Sequence, residues 1–472
     1  MPAVPTALLE SIDDAIMRNA TMPRSERRAL GRARRADVPL EAHAETPSLV
    51  DRGDPIGILA RQDADRLPDL VPIRHGRMSA TAFTFYRGAA AIMAADLAAG
   101  PSSGLWVQLC GDAHLSNFGA FNGPDRRLVF DLNDFDETHP GPFEWDVKRL
   151  AASLTVAARN NGLAPHKARR AAAAAVRGYR EQVSEVSRLD PLQLHYFRIE
   201  IDEVLQQLRR DTRQRTERAV DKARRKNSLN ALERLSEVVD GRRRIVDDPP
   251  LVKRVEVDGD AVRDDARRLF EEYLGTLPLA RRRVVERYRL IDVARKVVGV
   301  GSVGTRCMIA LCQTGDDEPL VLQFKEATTS VLEPYLGSST FAQHGERVVQ
   351  GQRVMQAAGD VFLGWARFHS TVLGRTTDFY FRQLWDGKGS ADVETMRGRG
   401  LRTYGELCGR TLALAHARTG DAAAISGYLG DDESFDEAIA TFADGYADLN
   451  DSDHRAHLAA IASGDLTAIR DL

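Results

Sequence analysis

The chain has 472 residues, 43% of them hydrophobic and 28% charged, enough for two or three domains around a well-buried core. A formal net charge of −3 gives the molecule no global attraction for nucleic acid or anionic lipid, so a polyanion would need a local patch. Four cysteines with no CxxC pair exclude a disulfide framework and argue against structural zinc.

Residues 1–60 combine a basic cluster, RSERRALGRARR, with a Pro/Asp-rich stretch and read as a partly ordered N-terminal arm. The opening MPAVPTALLESIDDAIMRN has no charged start followed by an apolar run, and no later run is long enough to span a bilayer. A cytoplasmic protein without a membrane partner is expected. The spacing of TAFTFYRGAAAIMAADLAA predicts a helix over 81–99, stopped by Gly100-Pro101. LWVQLC (105–110) reads as a buried strand, RRLVFDL (126–132) as a second and FEWDVKRLAASLTVAARN (143–160) as a helix. Helices continue through 165–185 and about 198–238. There RRDTRQRTERAVDKARRK sets nine basic residues against three acidic ones. With no aromatic residues between the charges, it reads as a solvated face or a clamp on a phosphorylated ligand, and nucleic acid is disfavoured.

From about residue 287 the character turns to β. ARKVVGVGSVGTRCMIALC, a turn at QTGDDEP and then LVLQFKEA give three strand-like runs. FAQHGERVVQGQRVMQAA (341–358), YGELCGRTLALAHARTG (404–420) and FDEAIATFADGYADLND (435–451) read as helices, and DFYFRQLWDGKGS (378–390) as a strand followed by a loop.

The stretch GDAHLSNFGAFNGPDRRLVFDLNDFDET (111–138) holds six acidic side chains. Carboxylates that close repel one another and cost desolvation unless a cation or a proton compensates. Asp112 and Asn117 are five residues apart, the spacing of a kinase catalytic loop, where Asp accepts the acceptor hydroxyl proton and Asn binds Mg²⁺. Asp134 follows 17 residues later, at the end of the next strand, in the place of the second metal ligand. Mg²⁺ takes hard oxygens and keeps its waters, so two protein ligands and phosphate oxygens suffice. An EF-hand starting at Asp131 fails, because Phe135 falls on a ligand position and Asp136 where glycine is needed. A transition-metal pair of Asp112 with His114, and a purely structural acidic turn, are the competing readings.

Gly299, Gly301 and Gly304 make a GxGxxG match with Ser302 inside it. A dinucleotide fold needs a helix after the glycines. Here TRCMIALC follows, so the glycines are placed at the tip of an antiparallel hairpin, where backbone N–H groups can approach phosphate oxygens. Lys325, on the strand after that hairpin, is positioned like the lysine that holds the α- and β-phosphates under a kinase lid. Its carboxylate partner is expected on a nearby helix, with Glu346 the first choice and Glu333 the second. An ordinary strand-edge lysine is the alternative.

GDAHLSNFG, FDLNDFDE and PFEWDVKRLAAS together resemble the catalytic half of the aminoglycoside phosphotransferase and choline kinase group. That resemblance implies Asp112 as catalytic base, Asn117 and Asp134 as Mg²⁺ ligands, and Asp146 as a brace for the loop. The chain from about 50 to 455, through FTFYRGAA, VVGVGSVGTR, KEA and LALAHARTGD, resembles more closely an uncharacterised bacterial family, the domain of unknown function 2252. In kinases the lid precedes the catalytic loop, whereas here it follows. The resemblance therefore implies an α+β, protein-kinase-like, two-lobed fold in circularly permuted order. Residues 61–286 and 391–472 would build a large helical lobe, and 287–390 a small antiparallel β-rich lobe that binds the nucleotide. DFYFRQLWDGKG would be the hinge strand and linker. The expected cofactors are ATP and Mg²⁺, the expected partner a hydroxyl-bearing small molecule or protein, and the expected reaction phosphoryl transfer. Nucleotidyl transfer and a nucleotide-binding pseudokinase are the alternatives.

Overall fold

The computed structural model describes residues 12–48, 52–207, 210–224, 228–240, 242–255, 260–370, 374–384 and 387–470. The apolar runs around the acidic stretch become four short strands: β1 (Trp106–Leu109), β2 (Phe118–Asn122), β3 (Leu128–Leu132) and β4 (His139–Pro142). β1 pairs antiparallel with β4, and β2 with β3. The loops 110–117 and 133–138 therefore emerge side by side, joined by the Asn133 N–H donating to Asn117 O at 3.0 Å. β2 and β4 were not legible beforehand. FGAFN carries no clear alternation, and HPGP is half proline, tolerated because it pairs on one side only.

Beyond a hairpin of β5 (Ser236–Val239) and β6 (Arg242–Ile245), a six-stranded antiparallel sheet runs in the order β11-β12-β10-β9-β8-β7. Its strands are β7 (Val252–Arg254), β8 (Arg289–Lys296), β9 (Cys307–Gln313), β10 (Pro319–Ala327), β11 (Gly364–Ser370) and β12 (Arg375–Gln383). The helix His344–Met355 connects β10 to β11. After β12 the chain returns to the acidic loops through β13 (Gly389–Ser390), which pairs with β2 at Ala120. Trp385 and Asp386 of the expected hinge lie outside the described residues.

β7 and the helices Asp260–Thr276 and Leu279–Val285, assigned from sequence to the helical lobe, belong to this sheet and its cover. Tyr273 of the helix Asp260–Thr276 stacks on Phe381 at 4.2 Å and shares a core with Val285, Leu322 and Phe324. A helix of that amphipathic pattern needs only an apolar surface, and the sheet supplies it. The other core gathers Phe143, Leu150, Tyr179, Leu412 and Phe435 from the helices Phe143–Asn160, Pro165–Val186, Gly398–Thr419 and Ser434–Ser463, with Val107 and Leu132 of the short strands.

The stretch expected as a partly ordered arm carries the helices Ile12–Thr21, Arg24–Ala33 and Pro55–Asp63. Its basic cluster is spent internally: Arg27 pairs with Asp421 at 2.7 Å, Arg28 with Asp431 at 3.0 Å, and Arg35 donates to Tyr428 O at 2.6 Å. Gly31 permits the contact, because a Cβ there would lie 1.8 Å from Ala424 O. The single helix expected over 81–99 is two, Ala82–Arg87 and Ala90–Ala98, interrupted at Gly88. Among the described residues no helix is long and apolar enough to cross a membrane.

Candidate active site

The loop after β1 is built around two carboxylates of opposite use. Asp146, in the first turn of the helix Phe143–Asn160, accepts from the N–H groups of Cys110 at 2.8 Å and Gly111 at 3.1 Å, and lies 3.2 Å from His416 Nε2. It braces the loop's entry. One turn further along the same helix, Arg149 reaches Asp112: Nε and Nη2 lie 2.8 and 2.7 Å from Oδ1. Arg149 is itself fixed by Tyr86, whose ring centroid is 3.9 Å from the guanidinium and whose carbonyl accepts at 2.8 Å. Oδ2 of Asp112 is left with His114 Nε2 at 3.6 Å, beyond hydrogen-bond range. Burial pushes the Asp112 carboxyl above its ordinary value, with Arg149 opposing. Asn117 donates from Nδ2 to Asp112 O at 2.8 Å, which locks the loop and leaves its own Oδ1 as an acceptor.

The second loop meets the six-stranded sheet. Lys325, on β10 and 2% exposed, places Nζ 2.6 Å from Asp136 Oδ2 and 4.0 Å from Asp134 Oδ2. Asp136 also accepts from Tyr380 OH at 2.5 Å and Ser302 Oγ at 3.2 Å. Burial works to raise Asp136, but the charge and hydrogen bond of Lys325, with Tyr380, hold it at about 2. Burial and the charge of Asp136 raise Asp134, against the pull of Lys325. For Lys325, burial is outweighed by both aspartates and the ammonium sits well above its ordinary value.

These residues face one cleft of about 550 Å³. Asp112, Asn117, Asp134, Gly299, Gly301, Ser302 and Lys325 all line it. Gly304 and Glu346 do not. Gly304, at φ +96°, packs where a Cβ would lie 2.9 Å from the Arg66 side chain, so it shapes the loop without facing the cleft. Glu346 is not the partner of Lys325, nor is Glu333; Asp136 takes that place. The reason is helix rotation. Arg347, 1% exposed, turns inward and donates to Thr138 O at 2.7 Å, Asp136 O at 2.9 Å and Thr328 O at 2.8 Å. Its neighbour Glu346 is then carried about 100° round the helix. A signal for Asp136 was present, two residues after Asp134 on the same loop. Arg149 was signalled by its place one turn past Asp146.

The glycine loop between β8 and β9 is fastened at both chemical levels. Val300 packs with Ile58, Met78 and Phe85, and Val303 with Leu70 and Ile73. Its carbonyls accept from arginines of the helical part: Gly299 O from Arg77 at 2.7 Å, Gly301 O from Arg66 at 2.8 Å, and Val303 O also from Arg66. Turning carbonyls toward guanidinium groups sets the loop's backbone without any help from a ligand.

A family model matches residues 66–460, spanning both acidic loops, the glycine loop and Lys325. The chain belongs to the bacterial DUF2252 family. That family's description is an uncharacterized protein conserved in bacteria. No curated protein and no solved structure matches the chain.

The donor set in this DUF2252 cleft fits a hard cation. Asp134 could contribute a carboxylate whose Oδ1, among the described residues, accepts only a long 3.3 Å bond from the Asp136 N–H, and Asn117 an amide oxygen. Among the described residues no three His, Cys, Asp or Glu side chains converge as a metal cage, so the Asp112–His114 pair stands without further ligands of those types. Two oxygen donors could hold a hard cation such as Mg²⁺ more readily than a transition metal.

Proposed function

We propose that the chain is an ATP- and Mg²⁺-dependent phosphotransferase acting on a hydroxyl acceptor, built as a circularly permuted, protein-kinase-like, two-lobed fold. The observation that carries this reading is the meeting of Lys325 with Asp136 and Asp134, the first pair separated by 189 residues. A lysine on β10, the strand after the glycine hairpin, thus reaches the loop that carries the candidate metal ligand, in a cleft that also holds Asp112. The helix His344–Met355 after that strand supports the same assignment, although its carboxylate does not pair with the lysine.

On this reading Lys325 binds nucleotide phosphate oxygens when they displace it from Asp136, and the glycine loop covers them. Asp134 and Asn117 would hold Mg²⁺, which would offset the negative charge of the phosphate oxygens. Asp112 Oδ2, the oxygen Arg149 leaves unbonded, accepts the acceptor hydroxyl proton. Its raised affinity for a proton suits that task. Arg149 positions the carboxylate by holding the other oxygen.

Incubation with γ-labelled and, separately, α-labelled ATP plus cell extract tests the proposal. Label transfer from the γ position alone is the expected result. Transfer from the α position means nucleotidyl transfer, and tight ATP binding with no transfer means a pseudokinase.

A further inference from the structure

Phosphoryl transfer as drawn leaves one wall of the cleft unused. Arg61, Gln62, Arg87, Ala90, Ala91 and Tyr335 line the same cavity as Asp112 and come from three helices of the chain's first part and the short helix after β10. Asp134 and Asp136 act most strongly on Lys325, and the charge of Arg87 is felt by Asp112 and His114. Arg87 thus stands within electrostatic reach of the base, with its main-chain carbonyl beside Gly301 of the glycine loop.

Asp112 does not use it. Both guanidinium contacts of that carboxylate come from Arg149. Among the described residues, neither Arg87 nor Arg61 has a hydrogen bond or an ion pair. The other carboxylate that acts on Arg87, Glu394, is outside ion-pair contact as well. Nε of Arg87 is buried with no partner. A guanidinium that lines the cleft without a protein partner can hold an anion through charge-assisted, forked hydrogen bonds. The small alanines 90 and 91 leave room for it.

We infer that the acceptor is a hydroxyl compound that also carries an anionic group, a phosphate or a carboxylate, held by Arg87 with exposed Arg61 at the rim. This rests on the phosphotransferase reading. The anion docks on Arg87 and presents the hydroxyl to Asp112. The hydroxyl oxygen then bonds to the γ-phosphorus, the bond from that phosphorus to the β-bridging oxygen breaks, ADP leaves, and the hydroxyl proton passes to Asp112.

The test titrates inorganic phosphate by calorimetry into the full chain saturated with Mg²⁺ and a non-hydrolysable ATP analogue. A parallel assay compares label transfer from γ-labelled ATP to glycerol 3-phosphate and glyceric acid with transfer to glycerol. Phosphate is expected to bind alongside the analogue, and Arg87→Gln to weaken it by about tenfold or more, the loss of a charge-assisted contact. Arg61→Gln, at an exposed residue that puts no strain on the fold, should weaken it by a smaller factor. The anionic acceptors should outrun glycerol. Absent phosphate binding, or binding unchanged in both variants, overturns the assignment. So does phosphate that competes with the analogue, since Arg87 would then grip the transferred phosphoryl group. A chain that binds no analogue sinks the phosphotransferase reading itself. An Arg87-dependent phosphate site on that chain would be an anion site with no acceptor role, which overturns the inference too.

Discussion

Replacing Lys325 with methionine keeps an apolar stem of similar length on β10 and removes the ammonium. Nζ is 2.6 Å from Asp136 and 4.0 Å from Asp134, so the variant leaves two carboxylates facing each other without their cation. Deleting one partner of a buried pair typically costs about 3–5 kcal/mol, because the remaining charge stays desolvated. Asp136 retains Tyr380 and Ser302 as donors and is free to take up a proton, which places the expected loss near the low end, about 3 kcal/mol at pH 7. The sign with pH follows from the native shifts. Asp136 is held at about 2 against an ordinary 3.8, so its stabilisation is complete above about pH 4 and is lost as pH falls through about 2. Lys325 is raised above 10.5, so its part is complete below that value and fades only as pH climbs past the folded one. Neutral pH lies inside both windows. Urea unfolding of wild type and Lys325→Met should therefore differ most near pH 7 and converge between about pH 4 and 2. The double variant Lys325→Met/Asp136→Asn should recover part of the loss, since no unpaired charge remains at that position. Equal midpoints at pH 7, or a double variant no more stable than the single one, would refute the reasoning. The same substitution should weaken ATP binding, and Lys325→Arg should not restore it, because a planar guanidinium does not replace a compact ammonium in this pocket.

Three further outcomes are expected. Asp134→Asn should abolish the Mg²⁺ dependence of ATP binding and change metal-free binding far less; calorimetry with and without Mg²⁺ reads this, and an unaltered metal dependence moves the cation elsewhere. Asp112→Asn should lower turnover by a factor of about 10² to 10⁴ with little change in ATP affinity, both measured on one preparation whose fold a thermal melt verifies. Full turnover in that variant rules out Asp112 as the base. Gly31→Ala should destabilise the chain by about 1–3 kcal/mol, because the new methyl collides with Ala424 O and the helices must part; an unchanged denaturation midpoint means that the N-terminal helices are not docked as described.

Local pattern was enough for much of this protein. The helix Phe143–Asn160 matches the range read from its spacing, because a continuous 3.6-residue period over five turns has no strand alternative. The runs CMIALC and LVLQFKEA became adjacent antiparallel strands with the glycines between β8 and β9, since glycine and an acidic turn punctuate apolar segments unambiguously. Asp112, Asn117, Asp134, Ser302 and Lys325 were readable as one set, because each is specified by its spacing within a short loop or strand. Pairing across the chain was not. Whether Lys325 meets Glu346 or Asp136 depends on the rotation of one helix by about 100°, which Arg347 decides by binding three carbonyls. The basic cluster at 24–35 read as part of a partly ordered arm until Asp421, Asp431 and Tyr428 O were brought to it from nearly the other end of the chain. The helices Asp260–Thr276 and Leu279–Val285 chose the sheet over the helical core because an amphipathic face records that it must be covered, and not by what. Periodicity is a property of neighbours along the chain, whereas the partner of a buried charge is set by packing among elements remote in sequence.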